Sequence, residues 1–151
     1  NRSNDVELDF DFDKVKEKSK DNPVFYVQYA FARINSLHRS LKLNLNSKII
    51  LKNDNFELND NEEKIIKKIF EWPKIVESAS KKYELHKIPF YLYELSTLFH
   101  SYWSKGNDNK KYKFIENNKI KRLEILAIFN LVTIVLRNGM KILGVSLPKK
   151  M

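Results

Sequence analysis

Asp21-Asn22-Pro23-Val24-Phe25-Tyr26-Val27-Gln28-Tyr29-Ala30-Phe31-Ala32-Arg33-Ile34 begins with the chemistry of a helix start and continues with the spacing of a helix buried on one side. Asn22 offers a side-chain oxygen to the first free backbone N–H groups, and Pro23 stands at the first helical position, where its missing N–H does no harm. At about 100° per residue, Val27, Phe31, Ile34, Leu41 and the ring of His38 fall on one side, with Ala30 and Leu37 at its edge. That side is the predicted core face of a helix running to about Leu41. Tyr26, Tyr29 and Arg33 gather within about 60° of arc on a separate stripe at its rim.

Toward the N-terminus, residues 5–13 alternate acidic and apolar side chains through Glu7, Leu8, Asp9, Phe10, Asp11 and Phe12. We read residues 1–13 as a short acidic arm that docks elsewhere, and residues 14–151 as one helical domain. Asp13 can cap a short helix to about Lys20.

Downstream, the Asn- and Lys-rich segment 44–61 reads as a loop with a short piece around Ile49-Ile50-Leu51. Asn59 or Asp60 then caps a helix with Glu62 and Glu63 in its first turn, where the macrodipole favours acids. Ile65, Ile66, Ile69 and Phe70 are expected on its inner side. Trp72-Pro73 is expected to break it, with a second short helix to about Tyr83 burying Ile75, Val76 and Ala79. Another helix from near Pro89 aligns Leu92, Leu95, Phe99 and Tyr102 or Trp103, with Ile88 and Leu98 alongside. Residues 105–109 (Lys-Gly-Asn-Asp-Asn) read as a turn or exposed loop. From about Asn118 to Leu143 apolar residues occupy almost every side, as in a helix surrounded by others. Gly139 inside it suggests close approach of another backbone, and Gly144 with Pro148 marks its end. With three Gly and four Pro in 151 residues, long uninterrupted elements follow, and the fold class is all-α.

The composition narrows function. The net charge is +9, and because residues 1–13 hold five acids against Arg2 alone, the rest of the chain is more basic still. Such a field attracts polyanions and releases counterions from phosphates, so nucleic acid is the first partner to consider; a lysine-rich composition could also be a genomic bias. With no Cys there are no disulfides, thiolate metal sites or thiol nucleophiles. The three His (His38, His86, His100) are too scattered to suggest a metal site. No phosphate loop or nucleophile elbow is present, so no catalytic residue is assigned. His100 reads as a polar residue at the bundle rim, since no nucleophile or carboxylate partner is identifiable for it. The apolar run from Ile125 to Leu136 is broken by Asn130 and Thr133 and reads as too short for a bilayer. No signal peptide opens the sequence, and a cytoplasmic address without membrane association is the default.

Splayed bases of RNA loops stack on aromatic and guanidinium planes while Lys and Arg meet phosphates. Tyr26, Tyr29 and Arg33 supply the first set. Lysines at 105–113 and the basic residues from Lys119 to Arg122 are candidates for the second.

The stretch from Lys20 to Ile34 resembles the N-P-V-F-Y-V-Q-Y-A-H-A-R-I segment of bacterial arginyl-tRNA synthetases, with Phe31 where that family usually has His. Three further blocks resemble the same family in order. Trp72-Pro73 with Ile75-Val76 resembles its F-P-x-V-V. Pro89 to Leu95 with Phe99 to Trp103 resembles its Y-L-Y-E-L-A-x-x-F-H-x-F-Y. Asn138-Gly139-Met140 through Pro148 and Met151 resembles its closing N-G-L-x-x-L-G-x-x-x-P-x-x-M. Asn1 to Phe12 is similar to the stretch after its KMSKS loop.

The resemblance implies the helical anticodon-binding DALR bundle of a class I arginine-tRNA ligase, which holds the anticodon stem-loop of tRNA(Arg). It implies that Tyr26, Tyr29, Arg33 and Met151 lie at the anticodon loop, and that Trp103 takes an aromatic position usually held by Tyr. In such an enzyme ATP, with Mg, and arginine are handled by a separate catalytic domain of the same polypeptide; no cofactor is expected in the present chain. The other reading is a helical protein-protein docking domain whose basic surface is only compositional.

Overall fold

Local capping and apolar periodicity build four helices, which the computed structural model describes over residues 16–17, 19, 21–42, 57–109, 112–116 and 119–151. The acidic arm, the boundary at residue 13, all of the 14–20 helix but Lys16, Glu17 and Ser19, and the piece at 49–51 lie outside the described residues. Helix α1 spans Pro23–Ser40, α2 Asp60–Lys82, α3 Lys87–Asp108 and α4 Leu123–Ile142; a hairpin of two-residue strands, β1 (Ile115–Glu116) and β2 (Lys119–Ile120), precedes α4. The all-α reading stands.

Asn22 caps α1 as expected, accepting from the N–H groups of Val24 and Phe25 at 3.1 and 3.2 Å. Val27, Ala30, Phe31, Ile34, Leu37 and His38 are buried, and Leu41 packs against the core at the helix end. Asn59 and Glu62 form a capping box at the start of α2.

Helix α2 does not break at Trp72-Pro73 but runs through Pro73 as one element. Proline deprives the Ile69 carbonyl of its usual donor, a local cost that packing on both sides of the turn outweighs. The Trp72 ring lies 5.3 Å from that of Tyr91 on α3, and the Tyr91 hydroxyl donates to the Lys68 carbonyl in the same turn. Because the helix is continuous, its inner face follows Ile65, Ile69, Trp72 and Ala79. Phe70 falls about 140° around from Ile65. It is 76% exposed, contrary to the inner position expected for it.

The expected turn at 105–109 is instead mostly helix, with α3 continuing to Asp108. Gly106 is buried there, and a Cβ at that position would lie 3.2 Å from the Tyr112 carbonyl. Glycine lets the segment before β1 lie against the helix end. The hairpin pairs Ile115 with Ile120 and Glu116 with Lys119, so α4 begins at Leu123 and not near Asn118.

Helix α4 packs on each of the other three helices. Its 20 residues are long and apolar enough to cross a membrane by length and composition, contrary to the sequence expectation, but 56% of its most apolar 18 residues are buried inside the bundle. Burial against neighbouring helices accounts for the composition. Leu131, Ile134 and Ile142 nevertheless face outward, so the helix is not enclosed on every side. At Gly139 the close neighbour is not backbone but the Leu92 side chain, whose Cδ2 would lie 2.6 Å from an added Cβ. Gly144, with φ +69°, ends the helix in a Schellman turn: its N–H donates to Lys141 and that of Val145 to Met140.

The core joins side chains of all four helices and the hairpin. Phe129 lies edge-on to Phe99 and Phe114 at 5.0 and 5.2 Å. Phe99 and Phe129 are fully buried, each side chain contributing about 1.5–3 kcal/mol by transfer from water.

Candidate nucleic-acid interface

The stripe predicted on α1 is half-buried, neither sealed in the core nor fully open. Its three members take different positions. Tyr26 turns into the groove between α1 and α3, its ring 4.4 Å from that of His100 and 5.3 Å from that of Tyr93. Tyr29 lies nearly parallel to Phe25, with centroids 6.1 Å apart, and stacks on His100 at 5.3 Å. Arg33 donates through Nη2 to the Tyr29 hydroxyl at 2.6 Å. Its guanidinium carbon lies 4.5 Å from the Tyr29 ring centroid and 5.2 Å from that of Trp103 on α3. Two aromatic rings therefore hold one cation, an attraction that grows as water is excluded.

His100 lies beneath this cluster and is 6% exposed, so it is a buried residue and not the rim residue expected. Its Nε2 is 3.3 Å from the Tyr26 carbonyl oxygen and its Nδ1 is 3.4 Å from Nη1 of Arg33. Burial, aided by the Arg33 charge and opposed by the hydrogen bond to Tyr26, pushes its pKa down to about 4. The ring is neutral at pH 7 and supports the cluster from below. Its helical position, four residues after Ser96 and one after Phe99, lies at the margin of the buried face, where periodicity alone does not decide burial.

Beside the cluster opens a cleft of about 570 Å³, lined by Tyr29, Arg33, Leu37, Trp103, Ile115 and Met151. Four of the five predicted binding residues thus meet at one site, although Met151 is separated from Tyr29 by most of the chain. Tyr26 does not line it. Met151 reaches the cleft because the chain after Gly144 turns back along α1. Gln28 Nε2 donates to the Ser146 carbonyl at 2.9 Å, and Arg39 Nη1 to that of Lys149 at 2.8 Å.

The basic residues expected to meet phosphates divide differently. Lys121 Nζ lies 2.5 Å from Glu116, and Lys113 is 3.9 Å from the same carboxylate. Arg122 pairs with Glu62 at 2.6 Å and Glu124 at 2.7 Å, while Lys105 donates to Asn61 at 2.8 Å. Lys110 and Lys111 lie outside the described residues. By contrast Arg39 and Lys150 line the cleft, and among the described residues neither has an acidic partner.

Sequence reasoning places Glu62 only as a first-turn acid and Arg122 only among the candidate phosphate contacts. Glu62 is 1% exposed and accepts from Tyr102 at 2.7 Å, from Arg122 and from the Asn59 N–H at 3.0 Å. This node joins the starts of α2 and α4 to α3. The capping-box spacing marked Glu62 in the sequence; its partners 40 and 60 residues away had no local signal.

A cleft with apolar walls, a fixed guanidinium and basic rims suits a flat, polar, negatively charged ligand. The model of the DALR anticodon binding domain matches residues 27–151. An arginine-tRNA ligase of Pelagibacter ubique is 50% identical over 151 residues, covering all of this chain and 26% of that relative. One from Bartonella bacilliformis is 43% identical over 157 residues, covering 99% of this chain and 27% of its own length. The chain thus spans about a quarter of the length of these curated relatives. A crystal structure described as an arginyl-tRNA synthetase from Campylobacter jejuni superposes with a TM-score of 0.82 at 24% identity, covering 99% of this chain and 31% of that one, and so shares its fold.

Proposed function

Because the chain belongs to the DALR anticodon-binding domain family, we propose that its cleft receives an unpaired base of the anticodon loop of tRNA(Arg). The observation that carries this reading is the meeting of Tyr29, Arg33, Trp103 and Met151 around one opening. Trp103 and the Met151 side chain supply surfaces for a base, and Arg33, already oriented by Tyr29 and His100, directs its remaining donors to base or phosphate oxygens. Tyr26 serves from behind, packed on His100. Lys150 meets an adjoining backbone phosphate.

In this proposal the domain supports ATP-dependent attachment of arginine to tRNA in the cytoplasm. ATP, with Mg, and arginine bind a catalytic domain of the same polypeptide outside this chain, and residues 1–13 dock toward it. The relatives named as arginine-tRNA ligases support that assignment, while nothing in the comparisons supports the docking-domain alternative.

Binding of Tyr29→Ala and Trp103→Ala to an arginine-tRNA anticodon stem-loop, beside one with a scrambled loop, tests the reading. Each substitution is expected to cost about 1–3 kcal/mol on the cognate loop, the range for lost base stacking. Unchanged affinity for both loops would sink it.

A further inference from the structure

The last residues of the chain form a wall of the cleft; Leu147 packs half-buried against the core, but beyond it little apolar burial holds them, Met151 being 50% exposed and Lys149 and Lys150 exposed as well. Two side chains of α1 reach across instead. Gln28 donates to the Ser146 carbonyl and Arg39 to the Lys149 carbonyl, and both bonds run from a helix to the backbone of a segment without regular structure. They act on main-chain oxygens, so they fix the path of the strap whatever side chains it carries.

We infer that Gln28 and Arg39 are positioning residues that hold the C-terminal strap as a preformed wall, keeping Met151 and Lys150 at the cleft before any ligand arrives. This deepens, and rests on, the RNA-binding reading of the cleft. The strap is ordered in advance, so the free energy of ordering it is not subtracted from binding. Arg39 is assigned to the strap on the bond from its Nη1 to the Lys149 carbonyl.

The chain has two methionines, and Met140 is 2% exposed, so methyl labelling of methionine gives one probe in the strap and one internal control in the core. In the whole chain, Gln28→Ala/Arg39→Gln is expected to bring the Met151 methyl to random-coil mobility while Met140 is unchanged. Affinity for the cognate stem-loop is expected to fall about tenfold, a loss within reach of two hydrogen bonds. In a chain ending at Val145, which lacks both acceptor carbonyls, Arg39→Gln is expected to cost less than about twofold, as non-additive partners do. A Met151 methyl that stays ordered in the double variant would overturn the positioning role. So would an equal loss for Arg39→Gln with and without the strap, which would make Arg39 a direct phosphate contact. Failure of the unaltered chain to bind the stem-loop would count against the RNA-binding reading, and the methyl measurement would still decide whether the two residues hold the strap.

Discussion

Nη1 of Arg33 lies 3.4 Å from Nδ1 of His100, and because a guanidinium has only donors, that ring nitrogen is the unprotonated one. Nε2 then carries the proton, directed at the Tyr26 carbonyl 3.3 Å away. The tautomer follows from the neighbours, and the pH response follows from the tautomer.

Protonating His100 would set an imidazolium against Arg33 in a buried site. Unfolded, the group titrates near 6.5; folded, it titrates at about 4. Between those values the unfolded chain binds the extra proton. This contribution is therefore complete above about pH 6.5 and is lost as pH falls toward about 4, by on the order of 3 kcal/mol. His38, also held below its usual pKa by burial, acts with the same sign. Urea unfolding at pH 7 and pH 4.5 measures the slope, and His100→Gln is expected to flatten it.

Glu62→Ala removes the carboxylate that Arg122, Tyr102 and the Asn59 N–H share. Arg122 would lose its buried partner and α2 its capping box. The expected destabilisation is about 3–5 kcal/mol, read from denaturant midpoints at constant m-value.

Gly139→Ala gains about 1 kcal/mol of helix propensity but drives a methyl group into Leu92, which is fully buried. Overpacking of this kind costs about 1–3 kcal/mol, so the net effect is expected to be destabilising. In a Leu92→Ala background the same change is expected to stabilise. A double-mutant cycle of thermal unfolding reads the reversal.

RNA affinity is expected to fall steeply with added salt. Lys150→Gln is expected to lower the slope of log affinity against log salt by about 0.7–0.9, the value of one phosphate contact. Lys121→Gln, whose cation is paired with Glu116, is expected to change it far less. Equal changes at the two positions would locate the phosphate path on the hairpin.

The helix starts at Asn22-Pro23 and at Asn59 with Glu62, and the stop at Gly144, were legible because each depends on groups within about four residues. The buried face of α1 was legible for the same reason: Val27, Phe31 and Ile34 recur at the helical period. Family motifs also marked the cleft residues, although no local pattern connects Tyr29 with Met151.

Where the reading failed, distant contacts outweighed local preference. Pro73 stays helical because Trp72 and Tyr91 pack across α2 and α3, and Gly106 stays helical because the segment before β1 covers it. Phe70 and His100 exchanged their expected environments, one exposed and the other buried, once the neighbouring helices had set which arc of each helix faced inward. Capping signals and apolar spacing marked the helix-forming segments, with α2 wrongly divided at Pro73, and composition marked a basic chain with residues suited to RNA. Tertiary structure alone decided that Arg33 is held between two rings, that His100 is neutral and that the chain's end forms a wall of the cleft. Capping and periodicity are settled within a turn or two of helix, whereas burial, protonation and cleft shape depend on side chains that only folding brings together.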